Sequence, residues 1–221
     1  MPEILAFDVN ETLLDLRVLD PKFEQALGDP GLRVQWFGLM LQVAFVGTMT
    51  GSYVSFTQAQ HAALQMLASR LNRPINAQAA DGIVDAMRSL PAHREVPAAL
   101  RRLQAGPFRL VAVTNSVRSV AEDQLMNAGI SEYFDAVVSA DEVGQLKPGP
   151  AAYLAVAKLQ GVPIGDVRLI AAHHWDIAGA RAAGCRTAFI ARPGAVPSPL
   201  ATPDLVVPDI AELADRLLVS G

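Results

Sequence analysis

Apolar and polar positions follow two different periods along this chain. Residues Ile4 to Phe7 form a short unbroken apolar run that stops at Asp8 and is followed by the polar residues Asn10, Glu11 and Thr12. Such a run, bounded by polar residues, reads as a buried strand. From about residue 15 to residue 90 the period lengthens: Trp36, Leu39, Met40, Val43 and then Val46 or Gly47 recur three or four apart. That spacing marks one face of a helix, and nothing in this block alternates as a strand does. Thr57 is placed to cap a long helix through Arg70, and Asn76 another through Leu90.

From Val96 the chain alternates helix and strand. The pattern predicts helices over 97–105, 117–128, 150–160 and 176–183 and a last helix from Ile210. Strands are predicted over 109–114, 136–139, 167–172 and 187–191, with a short one near Leu205. Strands that are apolar throughout, each followed by a helix, imply a parallel sheet covered on both faces. The expected class is therefore α/β, a Rossmann-like parallel-sheet core with a helical insertion. The stretch 192–203, RPGAVPSPLATP, is rich in residues that block regular structure.

Composition narrows the function. At 221 residues and 51% hydrophobic, the chain can bury a real core. One cysteine, Cys185, excludes an internal disulfide framework and reads as a small hydrophobe buried in a strand. No apolar run is long enough to span a bilayer, and the start of the chain lacks the order of a signal peptide, so a cytoplasmic protein with no membrane partner is expected. The net charge of −4 and the lack of a basic stripe give no footprint for nucleic acid. The expected partner is a small molecule.

In an open parallel sheet, ligands bind beyond the carboxyl ends of the strands. Four polar segments fall there: Asp8 with Asn10 and Thr12, then Thr114-Asn115-Ser116, then Lys147-Pro148, then His173-His174-Trp175-Asp176. A lone carboxylate after a buried strand is costly unless it is paired or used. Convergence of the four segments is what argues for an active site. The His173-His174 pair has no cysteine beside it and is a poor zinc site; His173 is expected to line the pocket and His174 to face solvent.

In this order, Asp8-x-Asn10-x-Thr12-Leu13, Thr114-Asn115-Ser116, Lys147-Pro148 and Trp175-Asp176 resemble the four motifs of the haloacid dehalogenase superfamily. Lys147 followed by Tyr153, the segment GSYVSF at 51–56 and WDIAGARAAG at 175–184 are similar to the type II 2-haloacid dehalogenase group. The resemblance implies a core domain of residues 1–14 and 91–221 and a helical cap domain of residues 15–90. It also implies a short halogenated carboxylate as substrate, and a homodimer. Asp8 is then the nucleophile that forms a carbon ester for water to hydrolyse. Lys147 keeps it ionised. Thr12, Thr114, Asn115 and Asn10 hold carboxylate oxygens of enzyme or substrate, and Asp176 positions Lys147 or the hydrolytic water. Tyr153, Phe37, His173 and Trp175 line the site.

Phosphatases of the superfamily carry a second aspartate where this chain has Asn10, and a magnesium-binding acid where it has Ala172. No cofactor is therefore expected; magnesium on Asp8 and Asp176 is possible but disfavoured, because Lys147 already neutralises one of the two. The chain also departs from the dehalogenases. Phe37 stands where they carry a halide-receiving cap arginine, and Ala171 and His173 where they often carry serine and asparagine. Phe37 is expected to make a smaller, drier pocket, with His173 or Trp175 replacing the arginine in part. The rival readings are a phosphatase of the superfamily and a catalytically silent binding protein.

Overall fold

Ile4, Leu5 and Phe7 are fully buried because the strand they form, β1 (Glu3–Phe7), lies inside the sheet and is covered on both faces. The computed structural model describes residues 2–219. The other strands are β2 (Phe108–Thr114), β3 (Ala136–Ser139), β4 (Val167–Ala171), β5 (Arg186–Ile190) and β6 (Leu205–Val207). They pair in parallel in the order β3-β2-β1-β4-β5-β6. Leu5 sits opposite Leu110 on one side and Arg168 on the other. Helices α5 (Val96–Gln104), α6 (Arg118–Asn127), α7 (Ala151–Gln160), α8 (His174–Ala183) and α9 (Ile210–Val219) pack against these strands.

Between β1 and α5 the chain makes four α-helices: α1 (Asp20–Leu27), α2 (Leu32–Thr50), α3 (Phe56–Arg70) and α4 (Ala77–Ala86). The chain leaves and returns to the sheet through one narrow neck, where Asp15 N donates to Pro91 O at 2.8 Å and His93 N to Leu13 O at 2.9 Å. The stripe on α2 buries Trp36, Leu39, Met40 and Gly47, and leaves Val46 exposed. Trp36 stacks near Phe23 at 5.2 Å and donates its indole N–H to Gln60 O, joining α1, α2 and α3. A Cβ on Gly47 would meet Val54 at 2.5 Å, so the turn after α2 folds back on a bare glycine.

Several boundaries differ from the sequence reading. The cap of α3 is Ser55, not Thr57: Ser55 Oγ accepts from Gln58 N, and the Gln58 side chain accepts from Ser55 N, a capping box that places Thr57 inside the helix. The helix capped by Asn76 ends at Ala86 and tightens into a 3-10 turn over Met87–Ser89. Helix α8 begins at His174, two residues early, and Cys185 lies just before β5, buried as expected.

Candidate active site

The strand order reverses on either side of β1, so a crevice opens beyond the ends of β1 and β4. Asp8 and His173 stand there. Asp8 N donates to Ile170 O at 3.0 Å, which fixes the first residue beyond β1 against β4. Lys147 reaches the same spot from the loop after β3 and is wholly buried. Its ammonium has three donors and uses them on Asp176 Oδ2 (2.6 Å), Asp8 Oδ1 (2.9 Å) and Val113 O (3.0 Å). Asn115 clamps the Lys147 backbone from both sides, accepting from its N–H at 2.7 Å and donating to its carbonyl at 3.1 Å. Tyr153, on α7, donates to Asp176 Oδ1 at 2.5 Å. Thr12 Oγ1 donates to Asp8 Oδ2 at 2.7 Å and accepts from Ala172 N at 2.9 Å. Helix α8 approaches closely enough to deliver Asp176 because Gly179 has no side chain; a Cβ there would lie 2.5 Å from Pro148 O.

Burial works against the charge on Asp8, but Lys147 and His173 more than offset it and hold the carboxyl well below its ordinary 3.8. Lys147, also penalised by burial, is held above 10.5 by Asp176 and Asp8. Asp176 moves the other way, raised by burial and by the Asp8 charge against the pull of Lys147 and Tyr153. Of the two carboxylates on Lys147, Asp8 keeps its charge the more firmly.

On the side facing α2, His173 bridges two carboxylates, with Nδ1 3.0 Å from Asp8 Oδ2 and Nε2 3.0 Å from Glu11 Oε2. Burial opposes the imidazolium, yet the hydrogen bonds to Asp8 and Glu11 outweigh burial and push its pKa up to about 10. The ring lies between Phe37 at 5.6 Å and Trp175 at 5.1 Å, both nearly parallel to it. A cation between two aromatic faces is itself favoured. Arg33, one turn before Phe37 on α2, is buried and pairs with Asp20 (2.6 Å) and with Glu11 (3.4 Å). The Trp175 indole N–H is buried without a hydrogen-bond partner among the described residues.

A cavity of about 740 Å³ opens beside this wall, lined in part by Phe37, His173, Trp175 and Arg33. Phe37 lines this cavity with its ring nearly parallel to that of His173. A separate cavity of about 440 Å³ between α1 and α4 is remote from these groups. His174 is exposed. Among the described residues no group of three His, Cys, Asp or Glu side chains is arranged to hold a metal ion.

The structure brings Asp8, Thr12, Lys147, Tyr153, His173, Trp175, Asp176 and Phe37 into one continuous cluster. Three further residues of the expected site also have partners within the protein. Asn10 accepts from Gln124 and donates to Ser116, Asn115 holds Lys147, and Thr114 Oγ1 accepts from Ser116 N. Sequence reasoning missed Glu11, Arg33 and Arg192. Arg192 donates to the Thr12 carbonyl at 2.7 Å and pairs with Glu95. The one local sign for Glu11, its left-handed backbone at φ 60°, is visible only in coordinates.

A family profile for haloacid dehalogenase-like hydrolases matches residues 2–184. The chain belongs to the haloacid dehalogenase-like hydrolases. Among characterised members, it is 28% identical over 216 residues to (S)-2-haloacid dehalogenase 2 of Pseudomonas sp. (strain CBS-3), covering 96% of this chain and 94% of that one. It is 27% identical to (S)-2-haloacid dehalogenase H-109 of Pseudomonas putida, with 98% of each covered. The fold superposes on the L-2-haloacid dehalogenase of Xanthobacter autotrophicus with chloropropionic acid covalently bound, at a TM-score of 0.89, 23% identity and 98% coverage of both chains. Within the haloacid dehalogenase-like hydrolases the chain thus groups with the 2-haloacid dehalogenases, and the α/β core with a helical insertion is shared with them. No helix among the described residues is long and apolar enough to cross a membrane.

Proposed function

We propose that this chain hydrolyses the carbon–halogen bond of a 2-haloalkanoic acid through an ester on Asp8. The observation that carries this reading is the Asp8 carboxylate at the end of the central strand, kept ionised by Lys147 at 2.9 Å and His173 at 3.0 Å. Asp8 Oδ2 already accepts from Thr12 and His173, whereas Oδ1 accepts only from Lys147. Oδ1 retains a lone pair and is the attacking atom. As the new C–O bond forms the C–halogen bond breaks, and its electron pair leaves as halide; the unpartnered Trp175 N–H and the His173 imidazolium are the donors near at hand. Water then adds to the ester carbonyl, its proton goes to the His173–Glu11 pair, and cleavage returns the Asp8 carboxylate and a 2-hydroxy acid. Esterification removes one of the two carboxylates that hold the imidazolium charged, so His173 gives up its proton more readily, and the Glu11 carboxylate is the member of the pair that takes the proton from water.

Lys147 Nζ bridges Asp8 and Asp176 and already offsets the charge that would attract a metal ion, which supports a metal-free reading. Asn10 is engaged by Gln124 and has no titratable proton, so the general acid of a phosphatase is missing. The decisive experiment is halide release from (S)-2-chloropropionate by wild type and Asp8→Asn, with turnover in ¹⁸O-water. The wild type should release chloride and carry label on Asp8, and the variant should lose at least about a thousandfold in rate. Full turnover by Asp8→Asn refutes the scheme, and inert wild type across a haloacid panel favours a silent binding protein.

A further inference from the structure

The cavity beside the site is far larger than a short haloacid needs. At about 740 Å³ it lies in the range that holds drug-sized ligands, whereas chloropropionate has a handful of heavy atoms. Its wall on α2 is a single apolar stripe, Val34, Phe37 and Leu41, at the three-and-four spacing that puts side chains on one face. The stripe runs seven residues, about 10 Å at ~1.5 Å per residue. Pro193 and Val196, from the loop after β5, line the cavity as well, with Leu16 from the neck of the insertion. Three of the arginines lining it are already neutralised, Arg17 by Asp15, Arg33 by Asp20 and Glu11, and Arg192 by Glu95, which leaves Arg94 at the rim. The cavity thus offers apolar surface from the Phe37, His173 and Trp175 stack outward, with little unspent positive charge.

We infer that the substrate carries an apolar chain of several carbons beyond its halogen-bearing carbon, packed against the apolar lining formed by Phe37, Val34, Leu41 and Val196. This rests on the dehalogenase reading for the reacting end, and the tail is a separate claim about the cavity. Arg94, exposed at the rim and without an ion pair among the described residues, is the one competing signal, since it would favour a chain ending in a second carboxylate.

The test is a series of racemic 2-bromoalkanoates from two to ten carbons, with 2-bromo-α,ω-dicarboxylates alongside, each scored as kcat/KM for bromide release. Each methylene that leaves water should raise kcat/KM about two- to fourfold until the wall ends. Val34 and Val196 are exposed, so Val34→Asp and Val196→Asp should fold normally. Both should flatten the chain-length profile while leaving bromoacetate turnover unchanged. Calorimetric binding of octanoate against acetate reads the cavity without chemistry: octanoate should bind at least tenfold more tightly, and Val34→Asp should remove the difference. A flat profile, octanoate no better than acetate, or dicarboxylates outrunning methyl-ended chains overturns the tail. Tight octanoate binding by a protein that releases no bromide from any substrate upholds the tail and refutes the dehalogenase reading instead.

Discussion

On the floor of the site Lys147 and Asp176 are wholly out of water and every charge has a core partner, whereas on the wall Glu11 keeps 32% of its side chain exposed and the Trp175 N–H has no hydrogen-bond partner among the described residues. The floor is held by ion pairs drawn from three separate segments, the end of β1, the loop after β3 and helix α8. Stacking, Phe37 on His173 on Trp175, does much of the work on the wall. Phe37 and His173, two of the three positions expected to depart from the dehalogenase pattern, lie on the wall. The contrast teaches where the site can change: a floor residue cannot leave without stranding a buried charge, but a wall residue can be exchanged if its neighbours restack.

The sharpest way to break this contrast is Lys147→Met. Removing the ammonium leaves Asp8 and Asp176 facing each other unpaired, and loss of one partner of a buried ion pair costs about 3–5 kcal/mol. Urea unfolding should show that loss, and halide release should vanish. A variant as stable as wild type means that the floor does not depend on pairing.

His173 tests the wall through pH. Its folded pKa is raised from 6.5 to about 10, so the stability it adds is fully present below 6.5 and is lost as pH rises through about 10. Asp8 has the opposite sign: its depressed carboxyl adds stability above 3.8 that fades as pH falls below it. In unfolding measured from pH 6 to 11, wild type should lose stability across that window relative to His173→Asn, which has no titrating ring. Parallel curves for the two proteins mean that the imidazole is neutral in the folded state.

Gly179→Ala comes next in size. The new methyl would meet Pro148 O at 2.5 Å and Pro148 Cα at 2.8 Å, backbone that cannot step aside cheaply. Overpacking of this kind costs about 1–3 kcal/mol. Because the displaced pieces carry Asp176 and Lys147, the rate of halide release should fall further than stability alone explains. Unchanged kinetics in a destabilised variant separates the α8 contact from the floor.

These tests also mark what could be read from the chain alone. The strands were legible because a parallel sheet buries both faces, so each strand is an unbroken apolar run ended by polar residues. Asp8, Lys147 and Asp176 were legible because strand ends in such a sheet converge. Thr57 was misread as a cap although Ser55 and Gln58 carry the signature, since a hydroxyl two residues on is an equally good local match. Glu11, Arg33 and Arg192 had no local sign at all: Arg192 finds the Thr12 carbonyl 180 residues away in sequence, and Arg33 finds Glu11 across the gap between insertion and core. Periodicity records which face a residue occupies and is silent on which distant charge it meets.

The smallest effect sharpens the comparison most. Phe37→Leu keeps apolar bulk on α2 but removes one ring from the stack, and an aromatic contact of this kind is worth about 0.5–1.5 kcal/mol beyond area. The loss of ring stacking falls on His173, while the Asp8 and Glu11 bonds to the imidazole remain. An NMR titration should then find the His173 pKa lowered, since a cation that loses an aromatic face loses stabilisation of its charged form. Urea unfolding should show a cost well below that of Lys147→Met. If the two costs are equal, the stack is part of what holds the floor together, and wall and floor are one structure.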